Sequence, residues 1–161
     1  FNVMDKFRVT WCRKRKMYRE LLRKLIKKVK WAKLREPCSE NDIEKAERAV
    51  GYTFPDELKA LYRETDGDNW FLLSLQQIID NVEINRKILS KYLEPDEYSE
   101  KVDRYIFFAT NGCGDYYCYR VSENGVTDTS AIYIWEHEGF EARCVAKDIR
   151  DAIIKYYNDE I

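Results

Sequence analysis

Three residue groupings in this chain have the types and spacing to do chemistry. The first is the glycine-bearing turn "NGCGD" at residues 111–115, inside the aromatic run "FFATNGCGDYYCYRV". A phosphate cradle needs G-x-G-x-x-G opening a helix, or G-x-x-x-x-G-K-[ST], so that backbone N–H groups and a helix N-terminus converge on the anion. Here only Gly112 and Gly114 match, and the turn leads into the β-type run "YYCYRV", so the phosphate reading fails. The second grouping is thiol and imidazole: Cys113, Cys118 and Cys144 with His137, the single histidine. A closed zinc site from these would need Cys144 or a carboxylate as a further ligand, and no CxxC spacing announces one. A catalytic cysteine would need His137 brought to Cys113 or Cys118 as its base. The third is carboxylate pairs, which 29 acidic residues always permit and which nothing in the spacing singles out.

With catalysis unsupported, the expectation is a non-enzymatic protein without cofactor or metal, acting through its surface. The net charge of −1 conceals a division: residues 1–35 hold 14 Lys/Arg against 2 Asp/Glu, and the remainder holds 14 against 27. An acidic body repels nucleic-acid phosphate and suits a basic protein surface, where complementary potentials speed encounter. The acidic turns supply the candidate contact residues: Asp66 and Asp68 in "TDGDN", Asp115 with Tyr117 beside the glycines, and Glu136 and Glu138 in "WEHEG". Solvated turn charge is the alternative for each of them.

The elements that must position these residues follow from periodicity. "MYRELLRKLIKKVKWAKL" is amphipathic through Tyr18, Leu21, Leu22, Leu25, Val29 and Ala32, and reads as one helix ended by Pro37. Its basic face alone would suit a membrane surface, a calmodulin-type partner or nucleic acid; the reading adopted packs the stripe on the domain and leaves the lysines in water. Ser39 with Asp42 caps a second helix, lined by Ile43, Ala46 and Val50 and closed by Gly51. Pro55 opens a third, with Leu58, Leu61 and Tyr62 inward, which "TDGD" stops. "NWFLL" reads as a short strand, and "SLQQ" caps a helix carrying Leu75, Ile78, Ile79, Val82 and Leu89. "EPDEYSEKVD" reads as an acidic loop.

From Tyr105 the period becomes two. "YIFFA", "YYCYRV" and "AIYIWEH", with "FEARCVA" as a further strand, are separated by turn signals and read as an antiparallel meander. "DIRDAIIKYYN" returns to helical spacing with Ile149, Ala152, Ile153, Tyr156 and Tyr157 on one face. The fold class is therefore α+β: N-terminal helices, a mainly antiparallel β-meander, and a C-terminal helix packed on the sheet. On this reading "NGCGD" is a hairpin turn, with Asn111, Gly112 and Gly114 tolerating positive φ.

No apolar run approaches the roughly 20 residues of a membrane span, and no signal peptide is visible. Five cysteines without paired spacing fit free thiols in a reducing cytoplasm. Residues 1–17 are expected to be a basic arm, partly flexible or foreign to the native chain before Met4, and residues 18–161 a single domain.

The order E-x-x-V-G-x-x-F-P-x-x-L-x-x-x-Y-x-x-x-x-G is present as Glu47, Val50, Gly51, Phe54, Pro55, Leu58, Tyr62 and Gly67. It resembles the N-terminal signature of the SUKH superfamily. The strand–glycine turn–strand with Gly112, Gly114 and Asp115, and "AIYIWEHE" with Trp135 and Glu136, resemble that family's second half. Cys113 departs from the small residue common at that place, and the basic arm lies outside the shared pattern. The resemblance implies an α+β domain without a shared active site. It also implies one of two roles. Bacterial members are immunity proteins that neutralise a cognate toxin, often a nuclease, and the partner expected here is then a basic toxin domain. Fungal members, of the Smi-Knr type, are adaptors in cell-wall synthesis.

Overall fold

The computed structural model describes residues 17–161. Residues 1–16, which carry most of the expected basic arm, lie outside the described residues. The elements run α1 (Met17–Leu25), α2 (Glu40–Val50), α3 (Asp56–Tyr62), α4 (Leu75–Leu89), α5 (Pro95–Tyr98), β1 (Tyr105–Thr110), β2 (Tyr116–Arg120), β3 (Ile132–Glu136), β4 (Glu141–Ala146) and α6 (Ile149–Tyr157). The four strands form one antiparallel sheet in the order β1-β2-β3-β4, the expected meander in an α+β fold.

The capping chemistry read from the sequence operates as expected. Ser39 and Asp42 form a reciprocal capping box on α2, and Ser74 and Gln77 form one on α4. Gly51 closes α2 in the left-handed conformation at φ 92°. Pro55 stands one residue earlier than expected, as the N-cap of α3, where its missing N–H costs nothing.

Three expectations need correction. The first helix stops at Leu25, continues as one 3₁₀ turn (Ile26–Lys28) and then extends, rather than running to Leu34. Residues 33–35 instead bond to a loop: the Lys33 N–H donates to the Asp68 carbonyl at 2.8 Å and the Arg35 N–H to that of Gly67 at 3.3 Å. "NWFLL" makes only an isolated antiparallel bridge, Leu72 to Ala109, beside β1. The acidic stretch Pro95–Asp103 is helical, as α5 and a following π-turn, because Tyr98 and Val102, four positions apart, bury themselves under the sheet.

That burial explains why β1 is covered on both faces. Ile106 and Phe108 face the main core with α1, α2, α3 and α6, while Tyr105 and Phe107 face a second cluster of Tyr98, Val102, Cys118 and Trp135. Two carboxylates, one buried and one half-buried, tie the helical layer together. Glu64 accepts the backbone N–H groups of Tyr18 at 3.2 Å and Arg19 at 3.5 Å, satisfying the open N-terminus of α1. Glu57 on α3 accepts the Tyr119 hydroxyl from β2. Burial, the largest influence on both, raises their pKa values.

Candidate functional site

The register of the meander brings two turns to one end of the sheet. Tyr116 pairs with Trp135, so Asp115, just before β2, lies against His137, just after β3. The Asp115 Oδ1 atom is 2.7 Å from His137 Nδ1 and also accepts the His137 backbone N–H at 3.1 Å. Its other oxygen accepts the Asn111 side-chain amide at 3.0 Å. Partial burial alone would raise the Asp115 pKa, but the hydrogen bonds from His137 and Asn111 outweigh it and hold the carboxyl below its ordinary value. The imidazole lies over Gly114, where an added Cβ would meet Nδ1 at 3.0 Å.

"NGCGD" is a hairpin turn between β1 and β2, with Gly112 at φ 77° and Gly114 at φ 99°. Asn111 is not left-handed, contrary to expectation. Its side-chain oxygen accepts the Cys113 N–H at 2.9 Å and the Asp115 N–H at 3.3 Å, so it shapes the turn by hydrogen bonds rather than by φ.

Two expected contact residues are not surface residues. Asp68 is 0% exposed; it accepts the N–H groups of Trp70, Phe71 and Leu72 and the Tyr157 hydroxyl. Tyr117 is 1% exposed and packs edge-on against Phe71. Both belong to the interior, since β2 turns Tyr117 toward α6 and the 66–72 loop folds around its own carboxylate. Asp66 is half-buried and accepts the Leu75 N–H at 2.8 Å, at the start of α4. Asp115, Glu136 and Glu138 share the two turns, Glu138 exposed and Glu136 beside Arg143 at 3.7 Å.

Of the two thiols that a catalytic reading would use, Cys113 is exposed in the turn beside Gly114 and Cys118 is not accessible to a substrate. Cys118 is fully buried beneath the sheet, where burial pushes its thiol pKa up, while His137 has Nδ1 committed to Asp115. Among the described residues no group of three or more His, Cys, Asp or Glu side chains could hold a metal ion. A cleft of about 420 Å³ lies at the opposite end of β1 and β2, its lining including Arg104, Tyr105, Arg120, Glu100, Glu123 and Asp128.

The signature residues are structural supports. Glu47 accepts the Phe54 N–H at 2.8 Å and pairs with Lys59 at 3.1 Å, which joins the end of α2 to α3. Leu58 and Tyr62 are fully buried, and the Tyr62 hydroxyl donates to the Leu73 carbonyl at 2.8 Å. Gly67 admits the chain at a point where a Cβ would lie 2.6 Å from the Leu72 carbonyl oxygen. Trp135 anchors the second cluster and donates Nε1–H to the Lys101 carbonyl at 2.7 Å. Sequence reasoning missed Glu141, which stands directly across from Glu136 in the β3–β4 register. Its one sequence signal is its position, two residues after the glycine of "WEHEGFE".

A search of curated proteins returns no match to this sequence. The model of the SMI1 / KNR4 family (SUKH-1) matches residues 37–155, a stretch that begins at Pro37 before α2 and ends within α6.

Proposed function

Because the chain belongs to the SMI1 / KNR4 family (SUKH-1), we propose that it is a non-enzymatic binding protein of the immunity type, which grips a basic toxin domain through the acidic β3–β4 hairpin. The observation that carries this reading is the charge placement on that hairpin. Glu136 and Glu141 oppose each other across the strands, and Glu138 is exposed in the turn between them. Arg143 offsets Glu136, while Glu138 and Glu141 are exposed without an ion pair among the described residues and are open to a docking cation. Asp115, held ionised by its hydrogen bonds, adds a fourth carboxylate at the same end. A nuclease-type toxin is basic where it holds phosphate, so a carboxylate cluster can occupy that surface in place of the nucleic acid. The setting is the cytoplasm, where such a toxin would act, and the inhibitor itself touches no nucleic acid. Among the described residues no helix is long and apolar enough to cross a membrane.

The test is to co-express the chain with the toxin-type domain encoded beside it, and to co-purify the pair. Protection together with a stoichiometric complex supports the reading; unprotected cells and no complex overturn it.

An adaptor of the cell-wall synthesis type is the second reading. It draws on the basic run from α1 into the segment that follows, where Arg23, Lys24, Lys27, Lys30 and Lys33 are exposed and Lys30 lies over the ring of Trp31, itself 66% exposed. Such a surface suits docking to an acidic partner. A neighbouring wall-synthesis operon, with no toxin gene beside it, would favour this role.

A further inference from the structure

The outer face of α4 carries apolar side chains that the fold does not use. Leu75 and Ile78 are buried, and Ile79, Val82 and Leu89 pack against the two cores. Ile84 and Ile88, on the other side, and Tyr92, in the turn just after the helix, are 50%, 48% and 77% exposed. Residues four apart on a helix are surface neighbours, so Ile84 and Ile88 adjoin, and Tyr92 follows in the turn that closes α4.

The charges beside the stripe have a direction. At 100° per residue, Asp80, Glu83 and Lys87 fall on one flank of the isoleucines, and Lys91 follows in the turn bonded back to the Ile88 carbonyl. The acidic pair is nearer the N-terminus and the basic pair nearer the C-terminus. All four are exposed, and among the described residues none makes an ion pair. A two-fold axis perpendicular to the helix keeps each flank on its own side and reverses its direction. One placement of that axis, near residue 85 or 86, sets Ile84 against Ile88 of the second copy. The same placement sets Asp80 against Lys91 and Glu83 against Lys87. A single register therefore satisfies the apolar and the charged positions together.

We propose that α4 is a homodimer interface, formed by antiparallel packing of two copies through Ile84, Ile88 and Tyr92, with Asp80–Lys91 and Glu83–Lys87 pairs across it. Self-complementarity of one surface is what an isologous contact requires, and a partner of another sequence has no need of this charge order. Three apolar side chains and their flanking charges make a small contact, so the dimer is reversible and concentration-dependent. The face is separate from the acidic hairpin, so the inference does not depend on the toxin-binding role.

Sedimentation velocity of the full chain over a concentration series tests it. The wild type shifts from monomer to dimer, and Ile84→Glu raises the dimer dissociation constant at least about tenfold. Asp80→Lys with Glu83→Lys, and separately Lys87→Glu with Lys91→Glu, each weaken self-association. Mixing the two double variants restores a heterodimer, a rescue that misfolding cannot produce. Circular dichroism melts check that each exposed-site variant remains folded. A wild type that stays monomeric throughout the series overturns the proposal. So does a dimer that tolerates Ile84→Glu, or a mixture that gives no rescue.

Discussion

The Tyr157 hydroxyl on the last helix donates to the Asp68 carboxylate, which also gathers three consecutive N–H groups, from Trp70, Phe71 and Leu72. The carboxylate thus pins the loop before α4 to the end of α6, across 89 positions of sequence. Asp68→Ala strands all four donors in the interior and lowers unfolding free energy by about 3–4 kcal/mol. Tyr157→Phe removes one hydrogen bond and costs about 1 kcal/mol. Urea denaturation of both variants measures the difference; equal costs would show that the backbone donors contribute nothing.

Gly67 and Gly112 both take positive φ, at 82° and 77°, but only Gly67 has a wall beside it. Gly67→Ala must displace the Leu72 carbonyl and costs about 2–4 kcal/mol, whereas Gly112→Ala meets open space and costs about 1 kcal/mol for φ alone. Thermal melts rank the pair, and the prediction fails if Gly112→Ala is the more damaging.

Glu57, Glu64 and Asp68 all have pKa values raised chiefly by burial. A raised carboxyl binds its proton more tightly when folded, so its contribution is full below the unfolded pKa and is lost as pH rises through the folded one. Stability therefore declines, on account of these groups, as pH rises above the ordinary carboxyl range. Asp42, Asp115, Asp128 and Asp151 are shifted the other way, and their contribution is lost as pH falls through their folded values. Glu57→Gln flattens the upper limb while leaving the acid limb in place. Denaturation midpoints across this range decide it, and an unchanged slope in the variant would remove Glu57 as a cause.

Charge reversal on the acidic hairpin separates binding from folding. Glu138→Lys with Glu141→Lys leaves the melting temperature within about 2 °C, since neither side chain is buried. The same change weakens capture of a basic toxin partner at least about tenfold and reduces the salt dependence of association. Binding kinetics at two ionic strengths supply the readout, and unaltered affinity would move the contact surface elsewhere.

Much of this architecture is local and is legible in the sequence. Capping boxes at Ser39 and Ser74, the left-handed stop at Gly51 and the period-two runs from Tyr105 depend on neighbours within a few residues. α+β order, the meander and the buried faces of α2, α3 and α6 all follow from them. Distant contacts decided the rest. Lys33 and Arg35 bond to the 67–68 backbone, which overrides helical periodicity after Leu25. Tyr98 and Val102 fold an acidic stretch into helix because the second face of the sheet needs covering.

The candidate site divides in the same way. From sequence alone, Asp68, Asp115, Glu136 and Glu138 are equivalent acidic turn residues, because a turn motif does not state which way a carboxylate points. Tertiary structure sorted them, through which donors happen to converge. Asp68 became an interior anchor and Asp115 a partner of His137, while Glu136 and Glu138 stayed at the surface beside Glu141. Residue types determined that this chain would have acidic turns and a basic first segment. Strand register and chain crossing, set by packing between residues far apart in sequence, determined which of those charges face a partner.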